Sequence, residues 1–149
     1  MTTLAEKFPR DFTGELGFLS NYYCSPIEIG GYRYETVEHY YQSQKCSDLA
    51  DAKAIRESKT ASEAKHKGQK VTKRPDWDEV KLSVMETGVL AKFEQNPDLA
   101  EKLLATGDMI LEEGNTWDDT FWGVDYYTRH GANNLGKILM KVRNQIRQT

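Results

Sequence analysis

The sequence predicts an α+β fold, mostly helical, packed as a single compact domain over residues 1–149 with a few short strands. Three observations lead there. Two segments carry apolar stripes at helical period: Leu82, Met85, Val89 and Phe93 in one, and Leu135, Ile138, Leu139, Val142 and Ile146 in the other. Two short apolar runs, Ile27 to Ile29 and Tyr32 to Tyr34, flank Gly30-Gly31, a hairpin signal. The chain has 149 residues, 38% hydrophobic and 29% charged. That is one ordinary globular domain, long enough to bury roughly 68–70% of its unfolded surface.

The elements follow in order. The first third reads as short strands, the hairpin among them. Thr36 is placed to cap a helix from about Val37 to Cys46. Asp48 to Ser58 and Ser62 to Lys67 read as further short helices, the latter ending at Gly68. The longest helix runs from Asp76 to Gln95 and stops at Asn96-Pro97. Leu99 to Ala105 is another helix, stopped by Gly107, and Met109 to Glu113 reads as a strand. The closing helix begins near Asn133, after Gly131. The four prolines, Pro9, Pro26, Pro75 and Pro97, each mark an element boundary.

Composition excludes several classes. The net charge of −3 argues against a general binder of duplex DNA, which needs a basic face. It leaves room for a local pocket that receives one nucleotide. Cys24 and Cys46 are too few for a disulfide framework and have no zinc spacing, so no metal and no cofactor is expected. Residues 1–10 lack an apolar leader segment, and no apolar run approaches a membrane span of roughly 20 residues. A cytoplasmic protein is the expectation.

Four constellations carry candidate chemistry. The helix Glu38-His39-Tyr40-Tyr41-Gln42-Ser43-Gln44-Lys45 puts Glu38, Gln42 and Lys45 on one face, an acid, an amide and an amine. Tyr34, Tyr40 and Tyr41 beside it suit a lined pocket better than a solvated face. Leu111 to Gly123 gathers four carboxylates (Glu112, Glu113, Asp118 and Asp119) and three aromatics (Trp117, Phe121 and Trp122) in a Gly- and Asn-broken loop. Paired carboxylates beside aromatics are how glycosidic chemistry is commonly built. Gly131 to Gly136 leads into the last helix, whose N-terminus suits phosphate. Ser20-Asn21, and Trp77 at a helix start, complete the set.

Together these segments resemble the NADAR (YbiA-like) family. Phe18-Leu19-Ser20-Asn21-Tyr22 is similar to its opening motif. Thr36-Val37-Glu38-His39-Tyr40-Tyr41-Gln42 with Lys45 is similar to its central helix. Trp77, Lys81 and Met85 follow, then Lys92-Phe93 with Gln95-Asn96. Next come Thr106-Gly107-Asp108, Glu113-Gly114-Asn115-Thr116-Trp117 with Asp119 and Trp122-Gly123, and Asn133 with Leu135-Gly136, Leu139-Met140 and Arg143. The resemblance covers nearly the whole chain in order.

The resemblance implies a metal-free N-glycoside hydrolase. Its implied substrate is an ADP-ribosylated guanine base in nucleic acid, with a paired toxin as a possible partner. The alternative substrate is the phosphoribosylamino-pyrimidine of riboflavin synthesis. Glu38, Lys45, Glu113 and Asp119 become the catalytic candidates. Ser20, Asn21, His39, Gln42, Trp77, Trp117, Trp122, Gly123 and Asn133 become the binding candidates, with the diphosphate at the N-terminus of the last helix. Two routes stay open. Asp119 or Glu113 stabilises an oxocarbenium ion while Glu38 handles protons, or Lys45 attacks C1′ to form a Schiff base. A third reading, a non-catalytic module that binds ADP-ribose or NAD, would not need Glu38, Lys45 and Asp119 together.

Overall fold

A computed structural model of the chain describes residues 10–149. The expectations for Pro9 and for a leader within residues 1–9 lie outside the described residues. About 52% of the described residues are helical, the 3-10 turn included, so the α+β, mostly helical prediction holds. The described residues pack as two units: one from residues 21–96, the other from the flanking segments 10–20 and 97–149.

The 21–96 unit opens with β1 (Ile27–Ile29) and β2 (Tyr32–Tyr34), an antiparallel hairpin that pairs Ile27 with Tyr34. Gly30 and Gly31 have φ of 63° and 86°, so the tight turn demands glycine at both positions. Four helices follow: α1 (Val37–Lys45), α2 (Leu49–Arg56), α3 (Ala61–Gly68) and α4 (Trp77–Gln95). Side-chain oxygens cap three of them, Thr36 on α1, Asp48 on α2 and Thr60 on α3.

Helix α1 lies against α2, α3 and α4 at once. Every residue from Val37 to Ser43 is buried as a result. Gly88 on α4 gives the room for this: a methyl there would press on the Tyr40 ring and on Val37. The predicted stripe on α4 is corrected at Leu82, which is 45% exposed. The buried line instead runs through Met85, Val89, Lys92 and Phe93.

In the other unit, residues Gly14–Leu19 form a 3-10 turn where short strands were expected, and it buries Phe18 and Leu19. Helices α5 (Pro97–Ala105) and α6 (Asn134–Arg147) pack together, with Pro97 ending one helix and beginning the next. Leu135, Ile138, Leu139 and Val142 of α6 are buried, as the stripe predicted, and Ile146 is half-buried.

Met109 to Glu113 is not a strand. Apart from the Glu113 carbonyl, which accepts from Val124 N–H, its backbone groups bond largely to side chains of the last helical segment. Arg143 donates to Met109 O at 2.9 Å, Asn133 donates to Leu111 O at 2.9 Å, and Glu113 N–H donates to Asn133 Oδ1 at 3.0 Å. The strands here are β3 (Gly114–Asn115) and β4 (Val124–Asp125), a two-residue parallel pair.

Arg143 is buried and also donates to Thr106 Oγ1 at 2.9 Å. Replacing it with Met leaves both acceptors without a donor. We expect Arg143→Met to lower unfolding free energy by about 2–3 kcal/mol in urea titration. A loss below about 0.5 kcal/mol would remove Arg143 from the account of how the 109–113 segment is held.

Candidate functional site

In the 21–96 unit the sequence places an unusual load on α1. Its polar residues are carried into the protein interior, where each group needs a partner. Glu38 is 7% exposed. Its backbone N–H donates to Asn21 O at 3.2 Å, and Gln42 Nε2 donates to its Oε2 at 2.7 Å. Gln42 is one turn further along, so the helix itself aligns amide with carboxylate. Lys45 is the next residue on that face and is half-buried. Burial pulls the Lys45 amine below its ordinary range, while the nearby Glu38 carboxylate acts in the opposite sense. The structure therefore brings Glu38, Gln42 and Lys45 together as the spacing predicted.

The other candidates of this unit surround that face. Asn21 holds the first turn of α1 through its carbonyl, and its amide reaches Met85 Sδ at 3.3 Å. Trp77 is buried against Tyr41, with ring centroids 5.0 Å apart. Both ring nitrogens of His39 are engaged inside the protein. Nδ1 lies 2.7 Å from Thr36 Oγ1, and Nε2 lies 3.0 Å from Ser58 O. A carbonyl only accepts, so the Nε2–H donates to Ser58 O. His39 thus braces α1 against the end of α2, and Trp77 packs in the core.

Gln42 Oε1 is the buried side-chain polar atom that lacks a partner among the described residues. It is pressed against Gly68, where an added methyl would overlap it. Gly68 ends α3 as predicted, but not through a left-handed turn. It is there because the Gln42 amide occupies the space of a side chain.

Lys92 drew no role from the sequence. It is 1% exposed on α4, with its amine 5.7 Å from the centre of the Tyr23 ring. Burial lowers that amine to about 7. The signal was available: Lys92 falls at i+3 from Val89 and i+7 from Met85, on the apolar stripe itself. Cys46 is a poor nucleophile, because burial pushes its thiol up to about 11.

In the flanking unit, Glu113, Asn115, Asp119 and Gly123 converge. Asn115 is the hub. Its Nδ2 donates to Glu113 Oε2 at 3.2 Å and to Asp119 O at 2.9 Å, and its Oδ1 accepts from Trp117 N–H and Asp119 N–H. Asp119 Oδ1 accepts from the N–H groups of Phe121 and Trp122. Its carboxylate folds the turn and sets the two aromatic rings 4.8 Å apart, edge to face. Gly123 allows the backbone to pass Glu113, whose carbonyl accepts from Val124 N–H at 2.9 Å. Trp117 is 61% exposed and Trp122 half-buried. Ser20 caps the end of the 3-10 turn through its N–H to Gly17 O.

The phosphate site expected at the N-terminus of the last helix is corrected. Asn133 N–H, Asn134 N–H and Leu135 N–H donate to the carbonyls of Gly123, Phe121 and Trp122. Three of the donors that would meet a phosphate are thus already used. Asn133 is buried with φ 52°, and its side chain turns back onto Leu111 and Glu113. Among the described residues no cluster of three or more His, Cys, Asp or Glu is arranged to hold a metal ion. No described helix is long and apolar enough to cross a membrane.

The close approach of Gly68 to Gln42 gives a sharp test. Alanine in place of a helical glycine ordinarily stabilises by roughly 0.8–1.0 kcal/mol. Here we expect Gly68→Ala to destabilise, and to become neutral or stabilising in a Gln42→Ala background. Additive effects in a denaturation cycle of the four proteins would show that the two residues do not meet.

Comparison with known proteins adds the relatives. A family model described as NADAR domain matches residues 7–147. The chain is 43% identical over 136 residues to an N-glycosidase of Nostoc punctiforme, covering 88% of this chain and 86% of that one. It is 37% identical over 134 residues to the N-glycosidase YbiA of Escherichia coli, covering 89% and 82%. A riboflavin biosynthesis protein of Vibrio vulnificus is 39% identical over 134 residues, and the chain spans 36% of that protein's length. The NMR structure of the Escherichia coli protein YbiA matches with a TM-score of 0.83 at 34% identity, covering 93% of this chain and 82% of that one.

Proposed function

This chain belongs to the NADAR domain family and is an enzyme of the N-glycosidase class, and from that premise we propose that it hydrolyses the bond between ribose C1′ and the amino group of a base. The observation that carries the reading is the buried Glu38 carboxylate, held by Gln42 at 2.7 Å, with the Lys45 amine on the same helix face. A solvated helix face would have no reason to bury an acid. Burying one costs free energy unless the charge is partnered, and such sites are where protons are moved.

Of the two chemical routes, the Schiff base fits the arrangement better. In the flanking unit one oxygen of Asp119 is occupied by two backbone N–H groups and Glu113 holds Asn115, so both carboxylates have scaffolding duties. In the proposed route the base amine's lone pair forms an imine with C1′ as the C1′–O4′ bond breaks and O4′ takes up a proton to become a hydroxyl. The Lys45 amine adds to C1′, and the base amine departs with a proton supplied by Glu38. Water then adds to the lysine imine and releases the sugar, returning Lys45 to its free form. The lowered proton affinity of Lys45 keeps more of it neutral and nucleophilic. Lys92 is sealed at 1% exposure, and we assign it to the support of the site rather than to attack.

For the substrate, the first reading is the phosphoribosylamino-pyrimidine of riboflavin synthesis. The riboflavin biosynthesis relative supports it. The second is ADP-ribosylated guanine in nucleic acid, with a toxin as the source of the modification. Trp117 at 61% and Tyr127 at 77% exposure favour that one, since exposed rings stack on unpaired bases. The two cysteines are both free, which suits a cytoplasmic setting.

Product release from the two substrates side by side tests the reading. We expect ribose 5-phosphate from the pyrimidine, and an adduct at Lys45 when borohydride is added during turnover. Release of ADP-ribose from the oligonucleotide alone would replace the first substrate with the second. Release from neither would sink the glycosidase reading, and an adduct that persists in Lys45→Ala would sink the assigned nucleophile.

A further inference from the structure

The chain as a whole is acidic, with 20 Lys and Arg against 23 Asp and Glu. Residues 53–74 reverse that balance, with eight Lys and Arg against two Glu. The ion pairs that reach this stretch among the described residues are Lys67 with Glu63 and Arg74 with Asp76. An excess of like charge on one short segment is unfavourable by itself, and it is commonly retained where an anion is to be met.

The backbone brings this segment to the end of α1. Cys46 and Lys73 face each other across an isolated antiparallel bridge. Ser47 N–H donates to Thr72 O at 3.0 Å, and Arg74 N–H donates to Lys45 O at 2.9 Å. Helix α3 reaches the same place from another side. Gly68 packs on Gln42, and Lys65 lies one turn before Gly68 while Lys45 lies one turn after Gln42. The Lys45 amine responds to both neighbours, since the charges of Lys73 and Lys65 each work against its protonation. Lys73 is exposed and Lys65 is half-buried.

We infer that Lys65 and Lys73 form a phosphate subsite beside Lys45, which holds the phosphate on the ribose 5′ carbon while C1′ is presented to the Glu38 face. The inference rests on the glycosidase reading for its substrate. Both candidate substrates carry a phosphate ester at that carbon, a monoester in the phosphoribosyl pyrimidine and a diphosphate in ADP-ribose. The span of one ribose ring then separates the phosphate from the scissile bond. Two ammonium groups also match a doubly charged phosphate without requiring a helix N-terminus, and at α6 three of the terminal N–H groups already have protein acceptors.

Calorimetric titration with ribose, ribose 5-phosphate and ADP-ribose at low salt tests the site without any turnover. The wild-type protein is expected to bind at least one of the phosphorylated sugars at least roughly tenfold more tightly than ribose, the effect of one charge-assisted hydrogen bond. Inorganic phosphate should displace it. Lys65→Gln with Lys73→Gln should lose that advantage, while Lys137→Gln on α6 should retain it. The tighter of the two phosphorylated sugars identifies which ester the site was built for. Equal binding of ribose and both phosphorylated sugars, or an affinity in the double variant within twofold of wild type, would overturn the inference. Lysine-dependent binding without turnover would end the glycosidase reading and leave the subsite standing. Turnover with lysine-independent binding would do the reverse.

Discussion

The burial of helix α1 is the constraint on which the 21–96 unit depends. Three helices pack on nine residues, and those residues include an acid, a histidine and an amide. A polar helix can sit there only if nearly all its groups are satisfied from within, Gln42 Oε1 being the exception among the described residues. Thr36 answers the His39 backbone and ring, Ser58 answers the other ring nitrogen, Asn21 answers Glu38 N–H, and Gln42 answers the Glu38 carboxylate. Small residues make the packing possible, Gly88 against Tyr40 and Gly68 against Gln42. The acid is placed by the fold before any substrate arrives, and that preorganisation is what the proposed chemistry needs.

The flanking unit solves a different problem. Its 109–123 segment contains almost no regular structure, yet many of its backbone groups are partnered. Arg143 and Asn133 provide donors and an acceptor from the last helical segment, and Asn115 and Asp119 close the turn that follows. Two residues that looked catalytic by composition, Glu113 and Asp119, thus carry structural bonds. The same bonds set the orientation of Phe121 and Trp122 and leave Trp117 facing solvent.

Much of the fold was legible because it is written locally. The Gly30-Gly31 turn, the Thr36 cap and the stripe on α6 act over one or two turns of chain, and the structure places each where the pattern put it. The acid, amide and amine of α1 were legible for the same reason, since helical spacing fixes a shared face. What could not be read depends on distant partners. Met109 to Glu113 has strand-like residues, but its hydrogen bonds go to Asn133 and Arg143, more than 20 residues later for the most part. The N-terminus of α6 looked open because nothing in the local sequence reveals that the Gly123, Phe121 and Trp122 carbonyls fold back onto it. Leu82 is exposed and Lys92 is buried because the neighbours of α4, and not its period alone, decide which side is buried.

Isosteric replacement of the buried acid tests the central claim most directly. Glu38→Gln keeps the shape of the side chain and removes its capacity to hold and release a proton. Turnover of the ribosylamino substrate should fall by roughly 100-fold or more, the scale of a lost general acid–base group, with the circular dichroism spectrum unchanged. A folded Glu38→Gln protein that turns over within a few-fold of wild type would contradict the account, because α1 would then bury its carboxylate for architecture alone.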